Sequence, residues 1–377
     1  MAIVARMPIG TLTLSLLLHV RALTGSFATA GLTVGTYLGA AAATAPIIGR
    51  WIDRRGARGA LLATGVVSPA ALLVIWLAAA IDLRQAGIYV AAAIAGAFAP
   101  PITVLTRTMW RYRFDDERAR RTAFALDAVL VEFAFTAGPA LIGLLLAIGS
   151  PRVAFGAAVA FTAIAVPIFV ASPALRYWRH DPGADRHLLG PLTDGRLLIV
   201  YATSFLLTTG LGLLEISYPG FAAAAHRPPL AGWLIAINSA GSALGGLAYG
   251  AIEVGLARER QLRRMLGLLV LPLALSAMIT SAGWLALVGF IAGFCIAPAF
   301  TIVTLLISSY APARYATEAF TWSATCIVSG IGVGNAIGGA LLERFGASRV
   351  FAAAAASVLL AAGLSTTLTL ARRAPPD

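Results

Sequence analysis

Apolar stretches of about 20 residues return along the whole of this chain, each the length a helix needs to cross roughly 30 Å of hydrocarbon. Twelve such spans can be read: 5–22, 27–49, 59–80, 86–106, 122–148, 152–171, 197–222, 230–252, 264–281, 284–308, 318–341 and 350–370. With 59% hydrophobic and 12% charged residues, the chain has too little polar surface to coat a water-soluble fold of this size. The pattern predicts an all-α polytopic membrane protein with twelve transmembrane helices.

The net charge of +12 would point to nucleic acid in a soluble protein, so the placement of the basic residues decides its meaning. All 28 are arginine. With the N-terminus in the cytoplasm, 22 of them fall in cytoplasmic segments, and only Arg21, Arg84, Arg152, Arg227, Arg344 and Arg349 fall outside. That asymmetry follows the positive-inside rule, and an even number of spans returns the C-terminus to the cytoplasm. The basic excess therefore reports topology and contact with anionic lipid, not nucleic acid. Abundant alanine and arginine without lysine indicate a high-GC bacterial genome, which places the expected location in the bacterial cytoplasmic (inner) membrane.

Cys295 and Cys326, the only cysteines, each lie within an apolar span far from any histidine cluster, so neither a disulfide framework nor a metal site is expected. The N-terminal segment lacks the basic region and small-residue cleavage site of a signal peptide, so the first span is expected to be retained.

An internal repeat sets the domain plan. Ile94-Ala95-Gly96-Ala97-Phe98 with Pro101 returns as Ile291-Ala292-Gly293-Phe294 with Pro298; Ala123-Phe124 returns as Ala319-Phe320, Gly138 as Gly334, Gly143 as Gly339, and Arg152-Val153 as Arg349-Val350. Two six-helix halves in the same orientation, 1–171 and 197–377, account for this, joined by a polar cytoplasmic linker at 172–196. Ala30-Gly31 also matches Ala231-Gly232. On that register the counterpart of the seventh span's start precedes Met1, so the first helix is expected to begin abruptly, its lead-in missing or its start codon assigned late.

Between the second and third spans lies the charged patch Gly49-Arg50-Trp51-Ile52-Asp53-Arg54-Arg55-Gly56-Ala57-Arg58. With the two parallel halves and the basic linker, this patch resembles the G-x-x-x-D-R-x-G-R-R loop of the major facilitator superfamily, matched here by Gly49, Asp53, Arg54, Gly56 and Arg58, with Ala57 at one basic position. The resemblance covers essentially the whole chain and implies a secondary transporter that works by alternating access. It implies conformational gating for these five residues: Gly49 for close helix approach, Gly56 for a tight turn, Asp53 for a contact made in one state and broken in the other, and Arg54 and Arg58 for holding the loop at the lipid–water boundary. The plainer reading is that the arginines only fix topology. Gly250-Ala251-Ile252-Glu253 is the degraded copy in the second half.

Gly138-Pro139 and Gly143 in span 5 partly resemble the family's G-P-x-x-G element of proton-exchanging exporters, with Phe135, Ala137 and Ile142 at places where glycine would strengthen the match; a helix kink at Pro139 is the alternative without export direction. The start of span 4, Gln85 to Val90, lacks the buried arginine of the drug–proton exchangers, and Arg84 reads as a loop residue.

Charges inside spans are the direct pointers to a transport path, because each costs several kcal/mol in hydrocarbon unless paired or hydrated. The candidates for proton or substrate contact are Glu132, Asp127, Glu215, Asn238, Arg6 and Arg107. Asp127 and Glu132 are five positions apart, about 140° around a helix, and do not share a face. Glu132, near mid-membrane with Thr136 one turn on, is expected either to carry a proton or bind a cationic substrate, or to be locked in an ion pair with Arg6 or Arg107. Glu215 is expected to pair with Tyr218 or Ser217. Asn238 and Ser242, one turn apart, are expected either to line the same cavity or to hydrogen-bond between helices. His19 is expected to pack near the outer surface.

No catalytic constellation is present, since four scattered histidines supply neither a metal site nor a triad, so no enzyme is expected. No cofactor is expected either, and a chain without lysine has no ATP-binding loop of the G-x-x-x-x-G-K-[ST] type. The sequence expectation is a monomeric secondary transporter that exports a small amphipathic compound in exchange for protons. Metabolite uptake or facilitated diffusion is the alternative, and a non-transporting membrane sensor of the same fold is the third.

Overall fold

The computed structural model describes residues 3–102, 105–106, 117–171, 190–252, 255–311 and 316–371. Among these there is no strand; eleven α-helices follow one another. They are α1 (Met7–Thr24), α2 (Phe27–Arg55), α3 (Ala57–Trp76), α4 (Gln85–Ala97), α5 (Glu117–Ile148), α6 (Pro151–Ala171), α7 (Gly195–Ala224), α8 (Pro229–Ala251), α9 (Arg258–Ser276), α10 (Ala282–Tyr310) and α11 (Ala316–Ala371). The last is two helices in sequence, broken at Gly346 where φ is 76° and ψ 173°, a combination essentially reserved for glycine. Twelve helical rods result, in the order the apolar pattern predicts. Eight stretches among the described residues meet both the length and the hydropathy of a membrane crossing, and the longest, Ala319–Leu368, contains that break.

Local chemistry sets the helix ends. Ser26 begins α2 by accepting from the Thr29 N–H at 3.1 Å, and Asp194 begins α7 by accepting from the N–H groups of Arg196 and Leu197 at 2.7 and 3.2 Å. Gly25, with φ 72°, closes α1 in the left-handed conformation that ends many helices. Prolines sit inside several helices, among them Pro46, Pro139, Pro219 and Pro298. In spans packed against neighbours such breaks in the hydrogen-bond ladder are tolerated, because serine and threonine hydroxyls and adjoining helices re-satisfy the freed groups.

Large apolar side chains stand open on the outer helix faces, among them Val66, Leu247 and Met278. In water such faces would aggregate; in hydrocarbon they match the solvent. Small residues face inward and let the helices approach.

The chain divides into two compact units, Met1–Ala184 and Asp185–Asp377. The linker expected at 172–196 lies outside the described residues up to 189. Within the first unit α1 packs on α5 and α6, α2 on α4, and α3 on α6. Within the second unit α7 packs on α11, α8 on α10, and α9 on α11. The pairings repeat in the same order.

The repeat extends to single backbone contacts. A Cβ on Gly96 of α4 would stand 3.0 Å from the Cα of Tyr37 on α2, and one on Gly293 of α10 would stand 2.9 Å from the carbonyl carbon of Asn238 on α8. Gly96 and Gly293 are 197 residues apart, Tyr37 and Asn238 201. Likewise, a Cβ on Gly138 of α5 would lie 2.8 Å from the Cα of Gly10 on α1, and one on Gly334 of α11 would lie 2.9 Å from the Cα of Gly212 on α7. Backbone approach of this kind is how helices associate where lipid removes the hydrophobic drive between them.

Candidate functional site

The charged loop joins the last turn of α2 to α3. Gly56 takes φ 84° and ψ 158°, a region that side chains bearing Cβ rarely enter, and its N–H closes α2 on the Ile52 carbonyl at 2.9 Å. Ile48, Ile52, Ala57, Ala60 and Leu61 on either side of that turn belong to one buried apolar cluster with Ala165, Val166 and Phe169 of α6. The turn is thereby fastened from below, and Arg50 and Arg58 stand exposed above it. Asp53 and Arg54 are in the last helical turn of α2, their side chains outside the described residues. The close helix approach expected at Gly49 is absent: nothing lies within 4 Å of where its Cβ would be, because the crossing of α2 with its neighbour is carried by Gly96 instead.

Gly138 and Pro139 sit within α5, where Gly138 forms the crossing with Gly10. The second half makes the same crossing through Gly334, but there the next residue is Asn335 where the first half has Pro139. The close contact therefore needs the glycines and not the proline.

Asn335 exposes what the sequence reading missed. It is 2% exposed, and its amide Nδ2 donates to Glu215 Oε2 at 3.3 Å and to the Ile331 carbonyl at 3.1 Å. A carboxylate of α7 and an amide of α11 are thus joined inside the second unit, beside the Gly212–Gly334 crossing. This corrects the expected partners of Glu215: Ser217 instead donates back to the Leu213 carbonyl at 2.7 Å, and the Tyr218 hydroxyl, buried, has no hydrogen-bond partner among the described residues. The repeat could have flagged the position, since Gly138-Pro139 aligned on Gly334-Asn335 replaces a residue without a donor by one with two.

The remaining candidates divide. Asn238 Nδ2 donates to the Gly289 carbonyl at 2.7 Å, which makes it a link between α8 and α10. Arg6 is 2% exposed at the start of α1. Asp127 and Glu132 lie on α5 with side chains outside the described residues, and Arg107 lies outside them altogether. Gln85, at the start of α4, donates to Thr29 Oγ1 at 2.8 Å and Tyr89 Oη at 2.7 Å, while Arg84 is its exposed N-cap. His19 is buried, with Nε2 3.3 Å from the Ile75 carbonyl and its ring stacked on Phe155 at 4.9 Å. Among the described residues no group of three or more His, Cys, Asp or Glu is placed to hold a metal ion.

The sequence profile of the Major Facilitator Superfamily matches residues 1–199. The chain belongs to the major facilitator superfamily. Two solved structures of similar fold are crystal structures of the nucleoside transporter NupG. A single-residue mutant of it superposes with a TM-score of 0.78 at 14% identity, with 97% of each chain covered. The other gives 0.76 at 15% identity, covering 98% of this chain and 97% of that one. No curated protein sequence matches. As a superfamily member the chain is a transporter and not an enzyme, and the Glu215–Asn335 pair stands in the part of the fold built by α7 and α11.

Proposed function

We propose that the protein is a proton-coupled secondary transporter that exports a small amphipathic organic compound by alternating access. The observation that carries this reading is the Glu215–Asn335 pair, a carboxylate placed within a span and given a hydrogen-bond donor from another helix. Ionised, Glu215 holds that strut between α7 and α11; protonated, it loses the charge that strengthens the bond. A proton taken up or released there changes the contact between two helices, which is what coupling to a conformational cycle requires. Glu132, Asp127, Arg6 and Arg107 are the corresponding candidates in the first half, on the sequence argument alone.

Asp53, Arg54, Gly56 and Arg58 act in this reading as the gating loop, with the Gly56 turn as its fixed point. Gly138, Pro139 and Gly143 favour export through their likeness to the exporter element. The arginine distribution supports the bacterial cytoplasmic membrane with both termini inside, and the presence of both halves in one chain supports a monomer.

A second reading, uptake of a hydrogen-bonding metabolite, is favoured by the full-length likeness to a nucleoside transporter. Inverted membrane vesicles separate the two when challenged with lipophilic cations and with nucleosides. Proton release triggered by the cations supports export; nucleoside flux that runs down an imposed proton gradient supports uptake.

A further inference from the structure

A cavity of about 380 Å³ opens in the second unit where the starts of α7 and α9 meet the ends of α10 and α11. None of the candidates for substrate or proton contact lines it. By the arginine distribution this is the cytoplasmic end of the unit, at the depth of lipid headgroups.

Two guanidinium groups stand over it. Arg196, exposed at the start of α7, lies with its guanidinium 5.8 Å from the centre of the Tyr310 ring, and among the described residues its side-chain N–H groups have no acceptor. Arg258, exposed at the start of α9, gives one N–H to the Leu305 carbonyl at 3.2 Å and also lines the opening. Ala257 at the N-cap of α9 supplies no side chain to the first-turn N–H groups, and the carboxylate in that turn is Glu259, which offsets the positive end of the helix.

Glu259 fixes this arrangement. It is 7% exposed and accepts from the Tyr310 hydroxyl at 2.7 Å, which holds the ring beneath Arg196. Leu256, Leu306 and Leu368 supply apolar lining to the same cavity, and Ser309 a hydroxyl. A planar, bidentate pair of donors together with apolar lining suits an anion of phosphate geometry joined to an apolar body.

We propose that this cavity binds a phosphate ester through Arg196 and Arg258, with Tyr310 as the platform and Glu259 as the residue that positions it. The ester has two sources, the headgroup of an anionic phospholipid in the cytoplasmic leaflet or a soluble phosphorylated compound, and the leucine walls match the first.

The test uses the full-length protein purified in detergent, with its thermal unfolding midpoint followed while dioctanoyl phosphatidate or inorganic phosphate is titrated. Saturable stabilisation by phosphatidate is expected for the wild type. Arg196→Gln and Arg258→Gln together should raise the half-saturating concentration tenfold or more, the loss of charged hydrogen bonds. Arg50→Gln, an exposed arginine of the first unit, should leave it unchanged. Both cavity arginines are exposed, so the variants are expected to unfold at the wild-type midpoint before lipid is added. An equal response to inorganic phosphate that depends on the same two arginines keeps the site and assigns its ligand to the soluble pool. A non-saturable response, or an equal loss in the Arg50→Gln variant, overturns the proposal.

Discussion

The backbones of Gly10 and Gly138 touch: a Cβ on Gly138 would stand 2.8 Å from the Cα of Gly10, while a Cβ on Gly10 would run into the carbonyl oxygen of Ala134. Backbone atoms cannot give way as a flexible side chain does, so Gly138→Ala should cost about 1–3 kcal/mol of stability through forced separation of α1 and α5. Gly49→Ala is the contrast, since open space surrounds that position inside a helix. It should be neutral or stabilising by up to about 1 kcal/mol. Thermal unfolding of the two purified variants side by side checks the pair.

Gly56 and Gly346 test backbone conformation without any clash. Neither has an atom within 4 Å of where a Cβ would stand, yet both hold φ near 80° with an extended ψ. Alanine at either should therefore cost about 1–3 kcal/mol from strain alone. At Gly56 the strain falls on the charged turn, so Gly56→Ala should also slow transport, measured as initial flux in vesicles at equal protein level.

Two buried tyrosines should respond oppositely to the same change. The Tyr201 hydroxyl donates to the Ala319 carbonyl at 3.0 Å, and Tyr201→Phe should cost about 1 kcal/mol through the loss of that hydrogen bond between α7 and α11. The Tyr218 hydroxyl is buried with no partner among the described residues. Tyr218→Phe removes a desolvated polar group and should be neutral or stabilising, read from the same unfolding midpoints.

Asn335 ties α11 to α7, and its replacement separates the strut from the carboxylate. Asn335→Leu leaves Glu215 without that amide and should lower transport more than tenfold, while Asn238→Leu, which removes a link from α8 to α10, should lower stability first. Flux compared with unfolding midpoint for each variant distinguishes the two outcomes.

Much of the fold was legible because membrane spans announce themselves by length and apolarity, and because Gly96, Gly138, Gly293 and Gly334 recur at nearly constant offsets. The crossing partners of those glycines were not legible. Gly10 and Gly212 are 202 residues apart whereas Gly138 and Gly334 are 196 apart, so no single register aligns both members of the contact. Asn335 escaped for a related reason: a search for matches passes over the position where the two halves differ, and there Pro139 stands against Asn335. The assignment of close approach to Gly49 failed because sequence identifies a glycine without saying which helix faces it. The cavity lined by Arg196, Glu259 and Tyr310 draws on residues more than fifty positions apart, with no local motif to unite them.

The central claim is that protonation of Glu215 is coupled to transport. Its most direct test is accumulation of substrate against a gradient in proteoliposomes driven by an imposed pH difference, set beside substrate exchange with no gradient, for wild type and Glu215→Gln. Glutamine keeps the shape and a hydrogen-bonding oxygen for Asn335 but carries no proton. The account predicts that Glu215→Gln still exchanges substrate and loses pH-driven accumulation. Accumulation in that variant with wild-type extent and wild-type pH dependence would contradict it.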